Sequence, residues 1–174
     1  MTPRLVLVED VYGVDFHKQL LTKLGYSKDM PRIERIPAKE CNPALVRKVK
    51  AKLLRLGNPR DAKILVVLDT ENQEPEHVKQ RVLIHFRKDP HLNNRIQVVT
   101  VEPKHDTWLC IGLGLDPHQC KIIPEHLIAR SRGLKSYSKE HLGKLARYMD
   151  PQKLAKQKDF EEYLEAIKWL TQDP

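Results

Sequence analysis

Glu9, Asp69, Glu71 and Asp106 are the residues whose types and spacing most directly suggest chemistry. Each follows a short apolar run. Leu5-Val6-Leu7-Val8 leads into Glu9-Asp10, Ile64-Leu65-Val66-Val67-Leu68 into Asp69-Thr70-Glu71, and Ile96–Val101 is followed shortly by Asp106. In open parallel α/β sheets, ligands bind beyond the carboxyl ends of the strands, which is where these acids fall. Asp69 and Glu71 are two apart, so in an extended segment their side chains point the same way and can share a cation. Hard oxygen ligands of this kind suit Mg²⁺ or Mn²⁺, which keep waters for a phosphate and polarise a phosphoryl group. Acids at strand ends also cap helices, so placement alone leaves that plainer role open. His105 adjoins Asp106 and is a candidate proton relay or phosphate contact. Arg130, Arg132, Lys135 and Lys139 fall in an expected loop beside the site, where they could grip phosphates.

The elements that must position these residues follow from hydrophobic patterning. The apolar runs at 5–8 and 64–68 read as strands buried on both faces, 96–101 as a third strand, and the alternating 32–36 as a short strand nearer the edge. Residues 12–25 read as a helix with Phe16, Leu20, Leu21 and Leu24 on one side and Gly25 as its stop. Asn42-Pro43 is a helix start, with a cap residue followed by Pro, and that helix extends to Leu56 over Leu45, Val49 and Leu53. A helix over 76–88 follows Pro75. Strands alternating with helices imply βαβ units and a mainly parallel sheet of about four strands with right-handed crossovers. Residues 1–105 form the α/β core. Residues 106–174 form a helical part packed on it, ending in a helix over about 160–170 with Phe160, Tyr163, Leu164, Ile167 and Leu170 on one face. Gly112-Leu113-Gly114 reads as a tight turn, and Trp108 and Trp169 as core.

The formal charge is +8, and residues 121–158 carry ten Lys/Arg against three acids, a net +7. Such a concentration points to a polyanion, most commonly nucleic acid. No run of about 18 apolar residues is present, so no membrane-spanning helix is expected. Met1-Thr2-Pro3-Arg4 leads straight into a strand without a signal-peptide core, which predicts a soluble cytoplasmic protein. Cys41, Cys110 and Cys120 form no CxxC pair and are odd in number, so free buried thiols in a reducing compartment are expected, with neither a disulfide nor a zinc site. The eight histidines, His17 among them, show no paired ligand spacing. Apart from His105 they are expected at the surface.

Taken together, Leu5-Val6-Leu7-Val8-Glu9, Val66-Val67-Leu68-Asp69-Thr70-Glu71 and Pro103-Lys104-His105-Asp106-Thr107-Trp108-Leu109 resemble the Toprim superfamily, in particular the groups around the OLD nucleases and RloB-type proteins. Lys135-Ser136-Tyr137-Ser138-Lys139, the segment from Leu142 to Asp150, and Asp159-Phe160 through Ile167 extend the likeness over most of the chain. The resemblance implies a Toprim-like, Rossmann-like core and Mg²⁺-dependent phosphodiester chemistry on DNA or RNA. It implies that Glu9 acts as general acid/base or metal contact, that Asp69 and Glu71 hold the ion, and that Asp106 completes the site. A chain without a motor of its own could act with a partner ATPase or as a homo-oligomer. Here Asp10 stands where Gly usually follows the first Glu, and His105 where an apolar residue is usual.

Two other readings fit parts of the pattern. A non-catalytic module would use the basic segment to hold nucleic acid or a partner while the acids merely cap helices. A receiver-like domain would use Asp69 as phosphoacceptor with Lys104 at the last strand, but only one strand separates the two. Residues 69–73 read DTENQ, which departs from a dehalogenase-type phosphatase motif, and no phosphate-cradling glycine loop is present.

Overall fold

The computed structural model describes residues 2–36, 43–57 and 59–172. Four strands, β1 (Arg4–Val8), β2 (Arg32–Arg35), β3 (Lys63–Asp69) and β4 (Ile96–Val101), form one sheet in the order β2-β1-β3-β4, every neighbouring pair parallel. In register, Leu7 pairs with Val66 and Asp69 with Val101. The expected α/β architecture is therefore present, with about the expected strand bounds. The helix start at Asn42 lies outside the described residues.

Side chains alternate across each strand, and each face has its own core. Val6, Val8, Leu65, Val67, Val99 and Val101 share one cluster with Phe16, Leu20 and Leu21 of α1 (Val11–Lys23). Leu5, Leu7, Ile64, Val66, Leu68 and Val98 share the other with α2 (Pro43–Leu56) and α3 (Pro75–Phe86), through Val49, Leu53, Val82 and Phe86. The chain thus crosses from one face to the other after β2. β1 leads outward to β2 and β3 leads outward to β4, which makes the crevice between the ends of β1 and β3 the topological switch point.

After β4 come α4 (His105–Gly112), α5 (Pro117–Cys120), α6 (Pro124–Ser131), α7 (Glu140–Ala146) and α8 (Lys158–Thr171). All five contribute to the α1 face of the core. Phe160, Tyr163, Ile167 and Leu170 of α8 are buried against it, each contributing roughly 1.5–3 kcal/mol by leaving water. Trp108 is core as expected, whereas Trp169 is only half-buried under Lys63, whose Nζ lies 5.5 Å from the ring centroid. At the α4 turn, Gly114 adopts φ +89, a conformation that favours glycine.

One expectation is overturned in this region. Cys110 and Cys120 are joined by a disulfide, with Cα atoms 5.6 Å apart, tying α5 to α4. Neither the odd cysteine count nor the spacing revealed it, because the bridge depends on a helix turning back over ten residues. No helix among the described residues is long and apolar enough to cross a membrane.

Candidate functional site

Val8, Glu9, Asp10, Gly13, Asp69, His105, Asp106, Lys139 and Leu142 line a cleft of about 20 Å³ at the switch point, room for a single water or ion. Three of the four expected acids therefore meet. Glu9 follows the last residue of β1, and its Oε1 is shut off from solvent. Asp69 is the last residue of β3, and Asp106 stands in the first turn of α4, where the helix dipole favours a carboxylate. Glu71 is not on the cleft wall. The strand ends at Asp69, and Glu71 and Asn72 adopt φ 51 and φ 65 in a left-handed turn. The extended geometry expected to align Glu71 with Asp69 is absent.

The carboxylates are engaged by the protein's own groups. Asp10 Oδ1 accepts from Gly13 N at 2.8 Å and caps α1, while its Oδ2 lies 3.6 Å from Lys139 Nζ. Asp69 Oδ1 accepts from the His105 backbone N at 3.0 Å and faces His105 Nδ1 at 2.6 Å. It thereby satisfies the first amide of α4, whose Lys104 cap offers no side-chain bond. The Tyr137 hydroxyl donates to Asp106 Oδ1. Among the described residues, no three His, Cys, Asp or Glu side chains form a ready metal-ligating group as they stand.

Behind the cleft lies a chain of buried polar rings that patterning did not reveal. His105 Nε2 lies 2.7 Å from His17 Nε2, and His17 Nδ1 lies 2.9 Å from the Tyr163 hydroxyl. His17 and Tyr163 are both fully buried, so the surface placement expected for His17 is overturned. His17 stands at a core-facing position of α1 between Phe16 and Leu20, and that periodicity is the one signal that could have flagged it. Burial, and then the charge of His105, push the His17 imidazole well below its ordinary value. Burial also pulls His105 down, but the Asp69 carboxylate, with Asp106 and Asp10 behind it, outweighs that and raises it. Burial and then Asp106 push the Tyr137 phenol far up, so it stays a hydrogen-bond donor.

The basic residues divide. Lys139 reaches the cleft. Arg130 is on α6 and not in a loop, because that helix runs through Ser131. The Arg132 guanidinium stacks over the Tyr148 ring at 5.2 Å, and Lys135 is exposed in the segment leading to Tyr137.

No protein-family model, curated protein or solved structure matches the chain. The site must therefore be read from its own geometry.

A buried aspartate outside the cleft holds its frame. Asp159, in the first turn of α8, accepts from Glu102 N at 2.9 Å and Trp108 Nε1 at 2.8 Å through Oδ2, and from Phe160 N at 2.9 Å through Oδ1. One carboxylate thus joins α8, the segment after β4 and α4, whose first turn carries His105 and Asp106.

Proposed function

We propose that the chain is a Toprim-like protein performing Mg²⁺- or Mn²⁺-dependent phosphodiester chemistry on nucleic acid. The observation that carries this reading is the meeting of Glu9, Asp69 and Asp106 in one small cleft at the topological switch point, with Lys139 on its wall. The donor set fits a hard cation, being carboxylate oxygen throughout. Glu9, Asp69 and Asp106 would hold the ion, and when bound it supplies Lewis-acid polarisation of a phosphoryl oxygen. Lys139 offers a phosphate its charge in place of Asp10. Tyr137 donates to Asp106 Oδ1 and would have to give up that bond for this oxygen to hold an ion. His105 keeps its Nδ1–H on Asp69 Oδ1 and so orients that carboxylate.

Expected from this reading is Mn²⁺ binding that is lost in Asp69→Ala, and plasmid or oligonucleotide cleavage that falls with it, by about a hundredfold or more for loss of a metal-held phosphoryl clamp. Equal cleavage by wild type and Asp69→Ala overturns it.

One observation favours a second reading, a nucleic-acid-binding module without catalysis. Asp10 and Asp69 each take a helix N-terminal amide, the ordinary structural use of such acids. A salt-dependent gel shift that survives Asp69→Ala but is lost when Lys135 and Lys139 are both neutralised, with no cleavage in either protein, decides for the module.

A further inference from the structure

We propose that His17 and Tyr163, which lie behind the cleft, are positioning residues that fix the His105 ring against Asp69. The proposal rests on the reading above only in taking Asp69 to be a working carboxylate. Asp69 Oδ1, His105, His17 and Tyr163 form one continuous line through links of 2.6, 2.7 and 2.9 Å, drawing on β3, α4, α1 and α8. An ionised carboxylate only accepts, so His105 Nδ1 carries a hydrogen. The two facing Nε2 atoms then share one hydrogen, since two lone pairs would repel and two hydrogens would collide. The Tyr163 hydroxyl both donates and accepts, so it completes the line whichever ring donates at the shared link. Burial, and then Tyr26, push the Tyr163 phenol far up, which keeps that hydrogen in place.

A half-turn of the His105 ring would set carbons against both Asp69 and His17 and break both bonds, the second of them beside a fully buried His17. His17 closes that alternative, and Tyr163 in turn closes it for His17. The rings are also wedged. Phe16 meets both imidazoles edge-on with centroids 5.4 Å away, and Trp108 lies 5.3 Å from Tyr163. Apolar side chains could fill this space without the cost of burying four polar ring and hydroxyl atoms. What they could not do is hold Nδ1 on Asp69. The direction in which Asp69 presents its carboxylate is therefore set partly from α8, three hydrogen bonds away.

Long-range proton–nitrogen NMR of the histidine rings, on the metal-free protein, tests this directly. Wild type is expected to show an exchange-protected Nδ1–H on His105. His17→Gln should keep it, because the amide can donate to His105 Nε2 and accept from Tyr163. His17→Leu should lose it, and Mn²⁺ affinity should fall about tenfold or more, the usual effect of removing a group that orients a ligand. Gln at 17 should restore affinity to near wild type. A folded His17→Leu protein with the protected signal and wild-type Mn²⁺ affinity overturns the proposal. Should His17→Leu fail to fold, Tyr163→Phe decides. It keeps the ring packing and removes one oxygen, and unchanged His17 and His105 ring signals there overturn the proposal. A wild-type protein that binds no Mn²⁺ refutes the cation reading instead, while the ring signals still settle this one.

Discussion

Replacing Asp159 by alanine removes the only acceptor described for the Trp108 indole N–H and for the Glu102 amide. Trp108 is 1% exposed, so water cannot take over at the indole without opening the core. A buried donor left without a partner costs about 1–3 kcal/mol, which applies to the indole, whereas the amide of the exposed Glu102 can turn to water. Loss of a carboxylate from the first turn of α8 adds about 0.3–1 kcal/mol. Relief from burying a charge offsets part of this, so a net loss of about 1–3 kcal/mol is expected, on the scale of an ordinary destabilising substitution in a core. Asp159→Asn keeps one acceptor oxygen and should lose about half as much. Urea unfolding followed in parallel by tryptophan fluorescence and far-ultraviolet dichroism measures both, and an unchanged m-value keeps the comparison valid. A loss in Asp159→Ala below about 0.5 kcal/mol, within the range of ordinary surface substitutions, refutes the clamp.

Two other effects follow from the buried groups. Replacing both Cys110 and Cys120 by alanine should lower the unfolding free energy by about 3 kcal/mol, the chain-entropy value for a loop of this length, and titration of all three cysteines as thiols, rather than Cys41 alone, in the unreduced, unfolded wild type would refute the bridge. His17 and His105 bend the pH profile in opposite directions. His17, whose folded pKa is lowered from 6.5, binds a proton more readily when unfolded, so stability is lost as pH falls below 6.5. His105, whose folded pKa is raised from 6.5, contributes stability that is full below 6.5 and lost as pH rises through its folded value. Urea midpoints from pH 5 to 8 should therefore peak in the region between, and His17→Gln should flatten the acid limb. An unchanged acid limb in that variant removes His17 from the account.

The sheet was legible because strands buried on both faces need unbroken apolar runs, and 5–8 and 64–68 admit little else. Glu9, Asp69 and Asp106 were legible for a related reason: a parallel sheet sends the carboxyl ends of its strands to one edge, so acids there must be neighbours. Glu71 was misread because alternation holds only while the backbone stays extended, and the chain turns left-handed at Glu71 itself, two residues past Asp69. His17, Tyr163, Asp159 and the Cys110–Cys120 bridge were missed for another reason. Each is defined by a partner that patterning cannot supply, and an isolated His or Asp in a helix looks like a surface residue until the facing helix is known. Tyr163 did appear among the apolar positions of the last helix, but nothing in periodicity indicates that its hydroxyl has a use.

The line of rings behind the cleft also bears on how the molecule forms. Its links join residues 36, 88 and 146 positions apart, in a sheet with no hairpin to give early local pairing. Contacts between distant segments form only after the entropy of closing long loops has been met, which slows folding. The His17–Tyr163 link closes the longest loop of the three. A partly folded chain would hold Glu9 and Asp69 at neighbouring strand ends with His105 still unanchored. The geometry of the cleft is thus complete only once α8 has docked.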